Sequence, residues 1–238
     1  MNIIKVARPN KSIPSMRGQL KVLKKTPLIF AVPTTAGTGS ETTLAAVISN
    51  PDTHEKNAIN DPVLRPKFAV LDPELTVGLP PHITSTTGMD ALTHAVEAFI
   101  GRSNVKSTED AALKATKLIF ENIEKVYEDG KNIEARENML VASFYAGVAF
   151  TRAYVGYVHA IAHNLGGMYG IPHGLANAVI LPYILEFFGD SAHHRLAILA
   201  DVAGITEGLT TEKEKAEKLI EAIKELNRKM NIPDKFEG

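Results

Sequence analysis

The chain has 238 residues, of which 45% are hydrophobic and 22% are charged, close to the averages of soluble globular proteins. With 26 lysines and arginines against 27 acidic residues, the net charge of -1 gives no field that would recruit nucleic acid or an anionic membrane. The absence of cysteine excludes disulfides, thiolate zinc sites and cysteine nucleophiles. No apolar run reaches the roughly 20 residues of a membrane span. We therefore expect a cytoplasmic protein without a signal peptide.

The first 80 residues have the pattern of a small α/β segment. Residues 1–27 carry seven lysines and arginines and no acidic residue, which we interpret as a solvated face, with a targeting segment or an anion-binding arm as the alternatives. The apolar run from Pro27 to Pro33 predicts a strand buried on both faces. A turn-rich stretch at residues 50–53 predicts a hairpin. Three more strands are predicted, the first two forming that hairpin: 45–49, 57–60 and 67–71. Because so few strands cannot form a stable sheet alone, we interpret residues 1–80 as the end of a larger α/β domain.

From residue 81 onwards the hydrophobic periodicity is helical. The predicted helices cover residues 86–100, 107–127, 132–151, 155–166, 174–188, 191–202 and 212–230. Ser107 with Asp110, and Thr211 with Glu214, predict capping boxes at two of the helix starts. The expected fold class is therefore a mainly α-helical domain at 81–238 with a small α/β remnant at the N-terminus.

Five titratable residues have spacings that favour a metal site: Asp90, His94, His159, His163 and His173. Residues four apart on a helix share a face, so the first two residues and the next two each form a candidate pair. On one helix His159 and His173 would lie about 21 Å apart. A shared ion therefore requires a chain reversal, for which the sequence offers helix-breaking residues: Gly166, Gly167, Gly170 and Pro172.

A carboxylate with imidazoles and no thiolate suits Fe²⁺, Zn²⁺, Mn²⁺ or Ni²⁺. Spacing does not decide which four of the five residues bind, and ordinary buried core residues stay the alternative. Glu97, seven residues after Asp90, could support a ligand, although a structural ion pair is the favoured interpretation. The other histidines are interpreted as surface or capping residues: His54, His82, His193 and His194.

Small and hydroxyl residues follow the first predicted strand from Pro33 to Thr43. Glycine there allows backbone amides and threonine hydroxyls to approach a phosphate or ribose. Because Thr42 stands where a complete Gly-x-Gly-x-x-Gly fingerprint has its last glycine, a structural turn is the alternative.

Three runs, in the order Pro33–Thr43, Gly88–Ala98 and Val158–Gly174, resemble the iron-containing, group III alcohol dehydrogenases. The resemblance implies the helical metal-binding fold of the dehydroquinate synthase-like type. It implies that Fe²⁺, Zn²⁺ or another divalent metal is held by Asp90, His94, His159 and His173. It places His163 between metal and nicotinamide, as a catalytic and cofactor-binding residue. It also implies an NAD or NADP site with these further residues: Thr34, Thr35, Ala36, Gly37, Thr38, Val47, Lys56 and Leu79.

The family's N-terminal α/β half, with its pyrophosphate loop, has no counterpart in this sequence, and the family's chain continues beyond Gly238, so we expect a truncated form. The implied activity is interconversion of a small primary alcohol or diol and an aldehyde by hydride transfer with NAD(P). The metal would act as a Lewis acid on the substrate oxygen and His163 as a proton relay. Activity of this chain alone stays open. The alternatives are a non-redox metal-binding helical domain and a silent remnant that docks on another subunit. No nucleic-acid or membrane partner is expected, and a homo-oligomer is one option.

Overall fold

The computed structural model describes residues 2–50 and 56–236. The described chain is mainly helical with a small α/β part, which confirms the predicted fold class. Its helices are α1 Asn2–Ala7, α2 Pro81–Ile100, α3 Lys106–Glu128, α4 Ile133–Ala153, α5 Tyr157–Tyr169, α6 His173–Phe188, α7 Asp190–Val202 and α8 Glu212–Lys229. Its strands are β1 Gly18–Gln19, β2 Phe30–Ala31, β3 Ala45–Ser49, β4 Lys56–Asn60 and β5 Phe68–Ala69.

The chain divides into two compact units. One contains Met1–Pro33 and Ser40–Val70, and the other contains Thr34–Gly39 and Leu71–Gly238. The interpretation of residues 1–80 as the end of a dinucleotide-binding domain, and of 81–238 as a catalytic domain, stays a prediction.

The first unit contains all five strands. β4 lies between β1 and β3, pairing parallel with β1 and antiparallel with β3. The predicted hairpin is therefore confirmed, while residues 51–53 of its turn lie outside the described residues. The unit has a small core of its own, formed by Ile4, Ala7, Met16, Val22, Ile59 and Leu64.

The prediction of a fully buried strand at residues 27–33 is wrong. Only Phe30 and Ala31 form a strand, and among the described residues they pair with β5 alone. The Phe30 ring is 58% exposed and stacks on that of Phe68, with centroids 4.8 Å apart. Leu28 and Val32 are also exposed. An apolar run does not show how fully its neighbours cover it, and here the described residues cover residues 27–33 only in part.

Helix α2 is the centre of the second unit and packs against α3, α4, α6 and α7. Every residue from Gly88 to Phe99 is buried, as expected of a helix that has neighbours on all sides. The polar side chains at 90, 94 and 97 are therefore held inside the unit. Together with its neighbours, α2 forms the main hydrophobic core.

The ends of two helices test the predicted capping boxes. Thr211 and Glu214 form the box at the start of α8, each side chain bonding the other's backbone N–H. At α3 the prediction is wrong, because Thr108 Oγ1 accepts from the backbone N–H of Val105. Asp110 instead pairs with Lys106 on the exposed surface.

In the described part of the chain, no single helix is both long and apolar enough to cross a membrane. Helices α4 and α5 meet that requirement only when taken together, and they are bent by 100° at the break between them.

Candidate metal centre

Helix α2 supplies two of the predicted ligands. Asp90 and His94 lie one turn apart and are 2% and 5% exposed. The other two flank the predicted chain reversal, which the structure confirms. Helix α5 continues through the first two glycines of the cluster and ends at Gly170, whose φ of 68° is left-handed, a conformation common at helix ends. His159 on α5 and His173 at the start of α6 can therefore face each other.

Asp90, His159 and His173 bring three ligand atoms together. Oδ1 of Asp90 lies 3.6 Å from Nε2 of His159 and 3.5 Å from Nε2 of His173. The three atoms all lie within 4.8 Å of one another. Bonds of about 2.1 Å to one tetrahedral ion would separate such atoms by about 3.4 Å. The arrangement fits a shared divalent cation.

His94 lies beside this group. Its ring stacks on that of His159 with centroids 4.4 Å apart, and on that of Phe150 with centroids 4.1 Å apart. Its Nδ1 is buried without a hydrogen-bond partner. The group of three ligand atoms within 4.8 Å does not include His94, so its role as a fourth ligand stays a prediction.

The site is open on one side. The side chain of Asp90 is 3% exposed, whereas that of His173 is 38% exposed. His163 is exposed, and its ring stacks on that of His173 with centroids 5.1 Å apart. The fifth residue of the predicted constellation is therefore at the exposed edge of the cluster, where a small molecule could reach it.

Asn177 is a residue of this site that the sequence analysis missed. Its Nδ2 lies 2.6 Å from Oδ1 of Asp90, 3.1 Å from Nε2 of His159 and 3.2 Å from Nε2 of His173. The residue is completely buried. Its position four residues after His173 on α6 was the available signal, because that spacing puts both on one helix face.

Burial and charge shift the pKa values of the cluster in different directions. Burial alone would raise the pKa of Asp90, but the imidazoles of His94, His159 and His173 lower it well below its usual range. Burial lowers the pKa of His94 to about 4. For His159 burial acts in the same direction, yet hydrogen bonds and charges from Asp90 and Glu97 raise its pKa to about 9. In the metal-free protein Asp90 and Glu97 therefore favour the protonated form of His159, whereas burial favours the neutral form of His94.

Residues Thr34–Gly39 of the predicted nucleotide loop belong to the same unit as these ligands. A Cβ on Gly37 would lie 2.6 Å from Cβ of Thr87, and one on Gly174 would lie 2.5 Å from the carbonyl oxygen of Thr86. Glycine thus allows both the loop and the start of α6 to pack on α2, one turn before Asp90.

The other predicted cofactor residues are divided between the units. Leu79 is half-buried, just before α2. Val47 is on β3 of the first unit, with a side chain 61% exposed. Lys56 begins β4, and its side chain lies outside the described residues. The contact of all these residues with a dinucleotide stays a prediction.

Two family models match this chain and identify the family to which it belongs. Residues 84–238 match the Fe-containing alcohol dehydrogenase family, C-terminal. Residues 3–73 match the family described as iron-containing alcohol dehydrogenase. The chain belongs to the iron-containing alcohol dehydrogenase family. The resemblance seen in the three sequence runs is thereby confirmed.

Individual members of the iron-containing alcohol dehydrogenase family are similar over most of this chain. The 1,3-propanediol dehydrogenase of Klebsiella pneumoniae is 46% identical over 209 residues, which are 87% of this chain and 54% of that protein. The NAD-dependent methanol dehydrogenase of Bacillus methanolicus is 39% identical over 232 residues, 97% of this chain and 61% of that protein. A crystal structure of 1,3-propanediol oxidoreductase superposes with a TM-score of 0.93 at 39% identity, covering 98% of this chain and 60% of that one. The chain thus spans about half the length of the curated relatives it matches.

Proposed function

We propose that the chain is the metal-binding part of an NAD(P)-dependent alcohol dehydrogenase that interconverts small alcohols and aldehydes. The observation that carries the proposal is that Asp90, His159 and His173 bring three possible ligand atoms within 4.8 Å of one another. The names of the relatives support it, since they describe dehydrogenases of methanol and 1,3-propanediol.

The donor set fits the proposed ion. Asp90, His94, His159 and His173 would hold Fe²⁺, with Zn²⁺ or another borderline divalent cation as the substitute, because oxygen and imidazole nitrogen suit these ions. When bound, the ion supplies Lewis-acid polarisation of the substrate oxygen, and the nicotinamide supplies the hydride chemistry. The protein's own contribution is to bury the Asp90 and His159 side of the cluster and to leave the His173 side open.

His163 is the proposed proton carrier. Its ring is exposed and lies next to that of His173, so a ring nitrogen can exchange protons with water and with a substrate hydroxyl. An imidazole has an ordinary pKa near neutral pH, which suits this transfer. Thr34, Thr35, Ala36, Gly37 and Thr38 would line the dinucleotide, together with Val47, Lys56 and Leu79.

The proposal covers NAD and NADP equally, and it covers small primary alcohols, diols and aldehydes as substrates. A homo-oligomer and a cytoplasmic location stay predictions.

Two measurements test the proposed function. The first is the ratio of Fe²⁺ or Zn²⁺ to protein after anaerobic loading and dialysis, expected to be about one ion per chain. The second is oxidation of NADH or NADPH with propanal, measured on the chain alone and on the chain joined to the N-terminal half of the Klebsiella relative. We expect turnover in the joined protein. A bound ion without any nicotinamide oxidation would favour the non-redox alternative, and absence of a bound ion would overturn the proposal.

A further inference from the structure

The carboxylate of Glu97 receives three hydrogen bonds inside the helical unit. The backbone N–H of Gly156 donates to Oε2 at 2.8 Å, and that of Val158 donates to Oε1 at 2.7 Å. Nδ1 of His159 lies 2.7 Å from Oε2. The side chains of Glu97 and His159 are each 2% exposed. Neither oxygen of this carboxylate is left without a donor.

We infer that Glu97 is a positioning residue that fixes the proton of His159 on Nδ1 and leaves Nε2 directed at the metal position. The inference deepens the proposed function and rests on it for the role of the ion. A carboxylate only accepts hydrogen bonds, so the ring nitrogen that faces it must carry hydrogen. The opposite nitrogen, Nε2, is the atom that lies 3.6 Å from Oδ1 of Asp90.

The same carboxylate holds the start of helix α5. Gly156 and Val158 are at the first turn of α5, where backbone N–H groups lack partners within the helix. Helix α4 ends one residue before Tyr154, whose φ of 67° is rarely adopted by residues other than glycine. Residues 154–156 connect α4 to α5. The hydrogen bonds from Gly156 and Val158 to Glu97 fix the point at which α5 starts. His159, in the first turn, is thereby fixed in direction as well as in protonation.

Gly156 leaves just enough space for this arrangement. A Cβ at this position would lie 2.9 Å from Oε1 of Glu97 and 3.3 Å from its carboxyl carbon. Any larger residue at 156 must displace a carboxylate that is held by three donors. Gly156 thus provides a way to disturb Glu97 without changing its charge.

The charges around the site agree with this role. Asp90 and Glu97 are two buried carboxylates, and within the described part of the chain neither has a lysine or arginine at ion-pairing distance. Buried charge without an opposite charge is unfavourable. A divalent cation bound to neutral imidazoles would balance both carboxylates, and a metal-bound His159 with hydrogen on Nδ1 alone would keep its hydrogen bond to Glu97.

The test compares Glu97→Gln with a matched control, Glu109→Gln. Glu109 is a half-buried carboxylate that pairs with Arg195 at 2.8 Å. In Glu97→Gln, an amide NH₂ replaces one of the two carboxylate oxygens. This NH₂ faces either the N–H of Val158, or the N–H of Gly156 and Nδ1 of His159, so that hydrogen-bond donors face each other and at least one hydrogen bond is lost. We expect the affinity for Zn²⁺, measured by competition with a chelator, to fall by about 10- to 100-fold. Glu109→Gln should keep the affinity of the unaltered protein.

A second readout needs no metal. In protein labelled with ¹⁵N-histidine, the Nδ1–H signal of His159 should be protected from exchange with water, both without metal and with Zn²⁺. The signal should lose protection in Glu97→Gln and keep it in Glu109→Gln. Glu97→Asp keeps two acceptor oxygens on a shorter side chain and should restore part of the protection and of the affinity. A purely structural role would not distinguish the aspartate from the glutamine variant in this way.

The possible outcomes distinguish a failure of the role proposed for Glu97 from a failure of the proposed metal-dependent function. Unchanged affinity and unchanged protection in Glu97→Gln would overturn the inference. If Glu97→Gln does not fold, Gly156→Ala is measured instead. We expect it to lose Zn²⁺ affinity and Nδ1–H protection as well, and unchanged values of both would overturn the inference. If the unaltered protein binds no Zn²⁺, the proposed function fails, while the metal-free NMR signal still decides whether Glu97 orients His159.

Discussion

The side-chain amide of Asn177 donates to Oδ1 of Asp90 at 2.6 Å, across 87 residues of sequence. This contact joins α6 to α2 in the interior of the helical unit. The same nitrogen lies within 3.2 Å of both facing imidazole nitrogens, those of His159 and His173. The amide nitrogen therefore lies close to all three candidate ligand residues, and its hydrogen bond to Asp90 ties α6 to α2 in the metal-free protein.

Replacing Asn177 with alanine should destabilise the metal-free protein. The buried carboxylate of Asp90 loses a hydrogen bond, a cost of about 1–3 kcal/mol. Urea unfolding in the presence of a chelator measures the change. The control is Asn164→Ala, since Asn164 is exposed and donates to the carbonyl of Ala160 one turn earlier on the same helix. An equal free energy of unfolding in the two variants would show that the amide does not organise the site.

Replacing Asp90 with asparagine should abolish stoichiometric metal binding. The side chain keeps its size but loses the anionic oxygen that a divalent ion requires. Metal analysis after loading with Zn²⁺ should fall from about one ion per chain to a small fraction. Asp190→Asn serves as the control, because the Asp190 side chain is 98% exposed and pairs with His193 one turn later on the surface of α7. Retention of a full equivalent of metal by Asp90→Asn would rule out this residue as a ligand.

Much of the fold follows from local patterns. All seven helices from residue 81 onwards were predicted, because apolar residues recur at helical spacing. Six of them agree within three residues at both ends, whereas α2 begins at Pro81, five residues before its predicted start. The reversal between His159 and His173 also followed from local chemistry, since Gly170 takes up the left-handed conformation that ends α5. These features depend on residues close together in sequence.

The features that could not be predicted depend on distant residues. Phe150 stacks on His94 from another helix, and an aromatic residue in an apolar helix gives no sign of its partner. Glu97 was interpreted as a structural ion pair, and its partner is His159 itself, 62 residues away. The exposed Phe30 shows the same limit for strands, because hydrophobic composition does not specify which surface will cover it.

The metal-free protein should lose stability as the pH rises from about 6.5 to about 9. The pKa of His159 is raised to about 9 in the folded state, against about 6.5 when unfolded. A histidine whose pKa is higher in the folded than in the unfolded state stabilises the folded protein. This contribution is complete at a pH below the unfolded-state pKa and is lost as the pH rises through the folded-state pKa. The shift corresponds to a loss of about 3 kcal/mol. The lowered pKa of His94 acts below pH 6.5, so it does not cancel the effect in this window.

Urea unfolding with a chelator at pH 6.5 and pH 9.5 measures this loss. His159→Gln should remove most of the difference between the two pH values. His194→Gln should leave it in place, because His194 pairs with Glu212 on the exposed surface. A difference that persists in His159→Gln would assign the pH dependence to other groups.

Two glycines near the site should respond to alanine in opposite ways. A Cβ on Gly174 would lie 2.5 Å from the carbonyl oxygen of Thr86. Because this oxygen belongs to the backbone of α2, relieving the clash requires one of the two helices to shift. We expect Gly174→Ala to cost about 1–3 kcal/mol and to weaken Zn²⁺ binding, because the start of α6 carries His173. Gly167 lies within α5 with nothing within 4 Å of an added Cβ. Gly167→Ala should stabilise the protein by about 0.5–1 kcal/mol. Thermal unfolding and Zn²⁺ competition on both variants check this pair, and a stable, tightly binding Gly174→Ala would disprove the close packing of α6 on α2.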